Sequence, residues 1–202
     1  MTADGIASLT LRPEPPHQTR RNAAAEVAFG RPSESRVAGH ADRIAGTFQL
    51  MTALLEGAEL AELLTLVADR ARHMSGARLV FMALPGETPN TLTIDFANGV
   101  NADQVRGVIV RVGTSAIGRA FISRRALSMR VASDPALKGL PPGPILLLPL
   151  DTGERTCGVL ALAGRPGDMP FSPPVKRQLL IFATTSATLI ELAEEHRASR
   201  RD

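Results

Sequence analysis

The sequence predicts an α+β fold in which a mainly antiparallel central sheet carries helices on both faces and a long helix stands at each end. Three observations predict it. Apolar residues recur at helical spacing near both ends, while six runs of strand character fill the middle around two short helical stretches. Three of those runs are apolar at both odd and even positions: Leu79 to Leu84, ILLLPL (145–150) and TCGVLALA (156–163). Strands of that kind are covered on both faces. Finally, the short turns PGETPN and DTGER join neighbouring runs, which is the connection of antiparallel hairpins.

Residues 1–39 hold Pro13, Pro15, Pro16 and Pro32 among Gly, Ser, Thr and Arg with no sustained apolar period, the composition of a disordered leader. Within it, 22–29 is too short to hold as an isolated helix. Over 40–57 the residues Ile44, Phe48, Met51 and Leu55 fall on one face of a helix that Gly57 ends. Leu60, Leu63, Leu64, Val67, Ala71 and Met74 form a second stripe, stopped at Ser75 and Gly76. After the doubly apolar run from Leu79, the residues Leu92, Ile94 and Phe96 alternate with Thr93, Asp95 and Ala97, as in a strand exposed on one side. Ala102 to Arg106 suits one helical turn, and Val108, Val110 and Val112 a further strand.

Thr114 or Ser115 then caps a helix with Ile117, Ala120 and Phe121 inward, followed by a strand at Leu127 to Val131 and a Pro- and Gly-rich loop at 135–143. ILLLPL and TCGVLALA are the most apolar strands and are expected at the centre of the sheet. Pro173 fits the first turn of the last helix, where its missing N–H costs nothing, and the helix runs to about Ser199. Its apolar residues form two stripes: Leu179, Phe182, Leu189 and Ala193 on one, Leu180, Ala183, Ala187 and Ile190 on the other.

Composition excludes several function classes. The aromatic content is 3%, with no Trp or Tyr, which leaves too little aromatic surface for single-stranded nucleic-acid platforms. The net charge of +3 is spread in single and paired arginines, without the basic stripe that tracks a phosphate backbone. One cysteine, Cys157, allows neither an internal disulfide nor a Cys-based zinc site, and fits a cytoplasmic setting. No run approaches a membrane span. There is no Gly-rich phosphate loop ending in Gly-Lys-Ser/Thr and no G-x-S-x-G elbow, and Asp134 and Asp151 are lone acids suited to turns.

The stretch GPILLLPLDTGERTCGVLALAGRPGDMPFSP (143–173) has Pro149 before a tight turn, Gly158 after it and a closing Pro-Phe-Ser before the last helix. With RVGTSAIGRAF (111–121) it resembles GAF domains, most of all those of actinobacterial histidine kinases of the dormancy, oxygen- and redox-sensing type. The resemblance covers about Leu60 to Glu195. It implies a GAF-like fold over 58–202, preceded at 40–57 by a signalling and dimerisation helix. It also implies a ligand pocket between one sheet face and the segments from Gly99 to Pro142. Phe81, Phe96, Ser115, Ile117, Phe121 and Met129 are the candidate lining residues, being apolar or small and on or opposite the central helix.

The family's chemistries find few of the residues they need. A haem needs an axial histidine, and none lies between His73 and His196; His73 suits the end of a helix, where a cation complements the dipole. His17 and His40 lie in or beside the leader, and His196 on the exposed end of the last helix. A bilin attaches to a cysteine of the central helix region, whereas Cys157 lies in a late strand. Haem and bilin are therefore not expected, nor is any metal site. Free methionine sulfoxide reductases use several cysteines, and the cyclic-nucleotide signature Asn-Lys-Phe-Asp-Glu is missing.

The expectation is a non-catalytic sensory or signal-relay domain of two-component-type signalling, cytoplasmic, binding a small molecule or passing on a conformational change to a histidine kinase or other signalling partner. The rivals are a redox enzyme on the same fold and a nucleic-acid antitermination regulator, neither with its residues in place. A homodimer is expected through Ile44, Phe48, Met51 and Leu55 of the first helix with Phe182, Leu189 and Ile190 of the last, because one helical layer leaves apolar stripes uncovered.

Overall fold

The computed structural model describes residues 34–140 and 142–199, the side chains of 34–40 and 42 excepted. These residues belong to one compact unit, 32–202. Most of the expected leader lies outside the described residues, as do His17 and the side chain of His40.

The first helix, α1 (Glu34–Leu55), starts upstream of residue 40. The run ESRVAGHA after Pro32 contains no proline to stop it, so the helix continues backward into residues whose composition suggested a leader. A capping box opens α2 (Leu60–Ser75): Glu59 accepts from the backbone of Glu62, and the Glu62 carboxylate accepts from the Glu59 N–H. Gly76, with φ 65°, closes it.

The sheet comprises β1 (Leu79–Pro85), β2 (Thr91–Gly99), β3 (Ile109–Arg111), β4 (Leu127–Arg130), β5 (Pro144–Asp151) and β6 (Thr156–Ala163). Its order is β3-β2-β1-β6-β5-β4, with every neighbouring pair antiparallel. The centre is thus β1 beside β6, and β5 lies one strand from the edge, contrary to the expectation that β5 and β6 share the centre. Helices cover both faces, so a doubly apolar strand reports its coverage and not its place in the order.

One face carries α1, α2 and α5 (Pro173–Ser199) over a core that includes Leu63, Val67, Met82, Leu160, Phe182 and Ile190. The other carries α3 (Ala102–Val105), α4 (Ala116–Ser123) and two short 3-10 turns at 131–133 and 135–137. Its core includes Phe81, Ile94, Ile117, Ile145, Leu147 and Val159. β1 divides its side chains between the two, Val80 and Met82 to the first, Phe81 and Ala83 to the second.

Helices α1 and α5 run parallel. A Cβ built on Gly46 stands 3.3 Å from the Phe182 ring, and further along Leu54 and Leu55 share a cleft with Leu192 and Ala193. Gly46 is the small residue that allows this approach. Among the described residues no helix is long and apolar enough to cross a membrane.

Candidate functional site

On the α4 side, Phe81, Ser115 and Ile117 are buried, and Phe121 and Met129 are half-buried against the same cluster. The structure therefore brings five of the six candidate lining residues to one face of the sheet. The sixth, Phe96, packs on the opposite face with α2 and α5. The cause is a β-bulge. Met82 pairs with Phe96 and Ala83 with Ile94, so Asp95 has no partner and the alternation of β2 reverses phase across it. The space beside Ile117 is filled by Val105, Val131, Leu137 and their neighbours, and a cleft of about 290 Å³ lies at its rim, lined by Val131, Asp134, Leu137 and Leu140.

Polar groups fix α4 at both ends. Ser115 caps its start: its hydroxyl accepts from the Gly118 N–H at 2.9 Å and donates to the Arg111 carbonyl at 2.8 Å. Asp134, buried, accepts from the Ala116 N–H at 2.6 Å and from the Ala136 N–H at 2.9 Å. It is a turn residue, as its sequence context suggested, and it also ties the turn to the positive end of α4. A carboxylate bonded to a helix eighteen residues back leaves no local signature in sequence.

At the far end of α4, Arg124 takes a left-handed conformation, φ 54°. Its guanidinium donates to the carbonyls of Gly153 and Glu154, at 3.0 and 2.9 Å, and pairs with Asp151 at 3.7 Å. The same β5–β6 turn carries Arg155, which bonds Glu191 and, at 3.1 Å, Glu194 of α5. The Glu191 bond is the main cause that holds the Arg155 proton more firmly than usual. Next to it, Cys157 is buried, and burial pushes its thiol pKa up; Arg155 opposes this and Glu191, Glu194 and Asp151 reinforce it. Neither arginine link was read from the sequence, since each joins residues some thirty or more positions apart.

The interface candidates separate. Ile44, Phe48, Met51 and Leu55 are exposed on α1, Phe48 by 69% and Leu55 by 85%. Phe182, Leu189 and Ile190 are buried in the chain's own core and face no solvent. The sequence showed two stripes on α5 but not what covers them: α1 packs along α5 beside Phe182, while α2 and the sheet take the rest. Leu180, Ile181 and Leu192 are the apolar side chains that α5 leaves exposed. His73 lies with Arg72 in the last turn of α2, and among the described residues no three His, Cys, Asp or Glu side chains gather as a metal site.

The GAF-domain family model matches residues 59–192. The chain is similar to the GAF-B domain of DevS from Mycobacterium smegmatis, 28% identical with a TM-score of 0.62 over 70% of this chain and 99% of that one. A second structure, the second GAF domain of DevS from the same organism, gives 28% and 0.63 over the same shares. The fold is also similar to free methionine-R-sulfoxide reductase from Neisseria meningitidis, at 15% identity and a TM-score of 0.63 over 82% of this chain and 96% of that one. Such domains are typically sensory or regulatory and generally non-catalytic. A family match across the whole sheet, with a sheet sandwiched between α1, α2 and α5 on one side and α3 and α4 on the other, places this chain in the GAF-domain family, and its structural neighbours include GAF domains of the actinobacterial sensor kinase DevS.

Proposed function

We propose that this chain is a non-catalytic signal-relay module of a cytoplasmic two-component-type pathway, passing a change on the α4 side of the sheet to α5 and so to a histidine kinase or other signalling partner. One observation carries it: α4 is bonded through Arg124 to the β5–β6 turn, and the same turn is bonded through Arg155 to α5. The path is contiguous and polar: a shift of α4 strains the Arg124 bonds directly, and a shift of the turn then strains the Arg155 bonds to α5. The input is a small molecule seated against Ile117, Phe121 and Met129 near the Asp134 turn, or a conformational change that loosens the turn. No haem or bilin is needed for either. The active form is a homodimer that pairs the exposed faces of α1 and α5 across a two-fold axis.

Hydrogen exchange tests the relay. Asp134→Asn, which weakens the tie to α4, raises exchange in α5 around Glu191; in an Arg155→Ala background the same substitution leaves α5 unchanged. If Asp134→Asn alters exchange near α4 and leaves α5 unaffected in the otherwise unchanged chain, the relay is wrong.

A further inference from the structure

Four chain ends meet at one corner of the domain. The last turn of α2 (Arg72, His73), the start of β1 (Arg78), the exit of β2 (Val100) and the chain leaving β6 (Arg165) enclose an open cleft of about 850 Å³, with Asp69 at its side. The backbone fixes Arg78 in the middle: its N–H donates to the Ala163 carbonyl at 2.9 Å, and its carbonyl accepts from the Val100 N–H at 3.1 Å. Three arginines thus line a cleft that holds one carboxylate, and that carboxylate already accepts a hydrogen bond from the Asn98 side chain.

Among the described arginines Arg106, Arg124 and Arg155 have acids within ion-pair distance, whereas several on the open surface, Arg125 and Arg177 among them, have none. Among the described residues Arg72, Arg78 and Arg165 pair with none. The Nε of Arg78 is shielded from solvent and has no acceptor among the described residues. Arg72 and His73 are explained by the carbonyl end of α2, which cations complement. Arg78 and Arg165 stand at strand ends and have no such role. The Ser75 hydroxyl and the Gly76 N–H bond the Ala71 and Arg72 carbonyls, which lessens the negative end of α2 without cancelling it, so the arginines have that charge to offset as well.

We infer that this corner binds a small phosphate ester carrying at least two negative charges, its phosphates held by the forks of Arg72, Arg78 and Arg165 and its less polar part resting on exposed Val100. Guanidinium forks match phosphate oxygens in pairs, which a cluster of three presents better than isolated surface charges do. A nucleic-acid strand fits less well, because no aromatic side chain lines the cleft to stack a base. The site is separate from the α4-side pocket and stands or falls without it.

The test is a titration of the chain with sodium pyrophosphate and with ADP at about 150 mM salt, where long-range attraction is screened, followed by backbone amide shifts. Saturable shifts confined to the region of Gly76, Arg78, Val100 and Arg165 are expected. Arg72→Ala and Arg165→Ala, both at exposed positions, each weaken binding about tenfold or more, whereas Arg125→Ala on a distant surface leaves it unchanged. Shifts that never saturate, equal weakening by Arg125→Ala, or tighter binding of a single-stranded oligonucleotide at the same residues overturns the assignment.

Discussion

Cys157 packs into the core beneath α2 and α5, where burial outweighs the nearby Arg155 and raises its pKa. A thiol that stays protonated is a poor nucleophile. Alkylation of the native chain by iodoacetamide near neutral pH is therefore expected to be far slower than alkylation in denaturant; equal rates would show an open thiol. The sign of the pH effect follows from the same shift. The native state holds this proton more tightly than the unfolded chain, so its contribution to stability is complete below the ordinary thiol pKa of about 8.5 and is lost as pH rises above it. Urea midpoints of the parent chain fall over that alkaline range, and Cys157→Ala removes this part of the fall. Ser186 gives the opposite kind of test. Its hydroxyl is buried in α5 with no partner among the described residues, so Ser186→Ala is expected to hold or raise stability, by up to about 1 kcal/mol in a denaturant titration. None of this is visible in the sequence, where a serine in a helix gives no sign of whether its hydroxyl finds an acceptor. Phe96 shows the same limit: strict alternation from Leu92 placed it wrongly, because a single unpaired residue reverses every side chain beyond it.

At the scale of elements, α4 is the most constrained. A Cβ on Gly118 stands 2.0 Å from the Val112 carbonyl oxygen and 2.4 Å from its Cα, and backbone atoms have no rotamer to escape into. Gly118→Ala is expected to cost about 3 kcal/mol, read as a lower thermal midpoint. Asp134→Ala leaves the Ala116 and Ala136 N–H groups without their acceptor and is expected to cost about 2 kcal/mol in the same assay. A Gly118→Ala variant as stable as the parent would mean that α4 sits farther from Val112. The existence and type of every α-helix and strand were legible, though not the two 3-10 turns at 131–133 and 135–137, because periodicity and punctuation are local: the 3.6-residue stripes of α2 and α5, the doubly apolar runs of β1, β5 and β6, Ser115 before α4 and Pro173 in the first turn of α5. What covers an element is not local. Two stripes on α5 left its partner open, and the partner proved to be α1, admitted by Gly46.

For the whole molecule, that packing moves the expected interface. Leu189 and Ile190 are core, so Leu189→Glu or Ile190→Glu buries a charge and is expected to unfold the chain instead of splitting a dimer. The face left in water is that of Ile44, Phe48, Met51 and Leu55 on α1, with Ile181 and Leu192 exposed on neighbouring α5. A row of exposed side chains this large is unusual on a monomer. Sedimentation of the parent chain at tens of micromolar is expected to show dimers, and the double variant Phe48→Glu, Leu55→Glu folded monomers with unchanged circular dichroism. A parent chain that sediments as a monomer removes the dimer from the proposed mechanism and leaves the α4 to α5 relay to act within one chain.

The strand order has one more consequence. The six-stranded sheet ends on its two shortest strands, β3 of three residues and β4 of four, and each closes on an arginine, Arg111 or Arg130. An edge so brief and so charged offers a poor template for an incoming strand, which would need a longer row of free N–H and C=O groups and would have to desolvate a guanidinium to pair there. Growth by strand addition, the route to fibrous aggregates, is thereby disfavoured at both margins, and copies of this chain that meet are left to recognise one another through their helices.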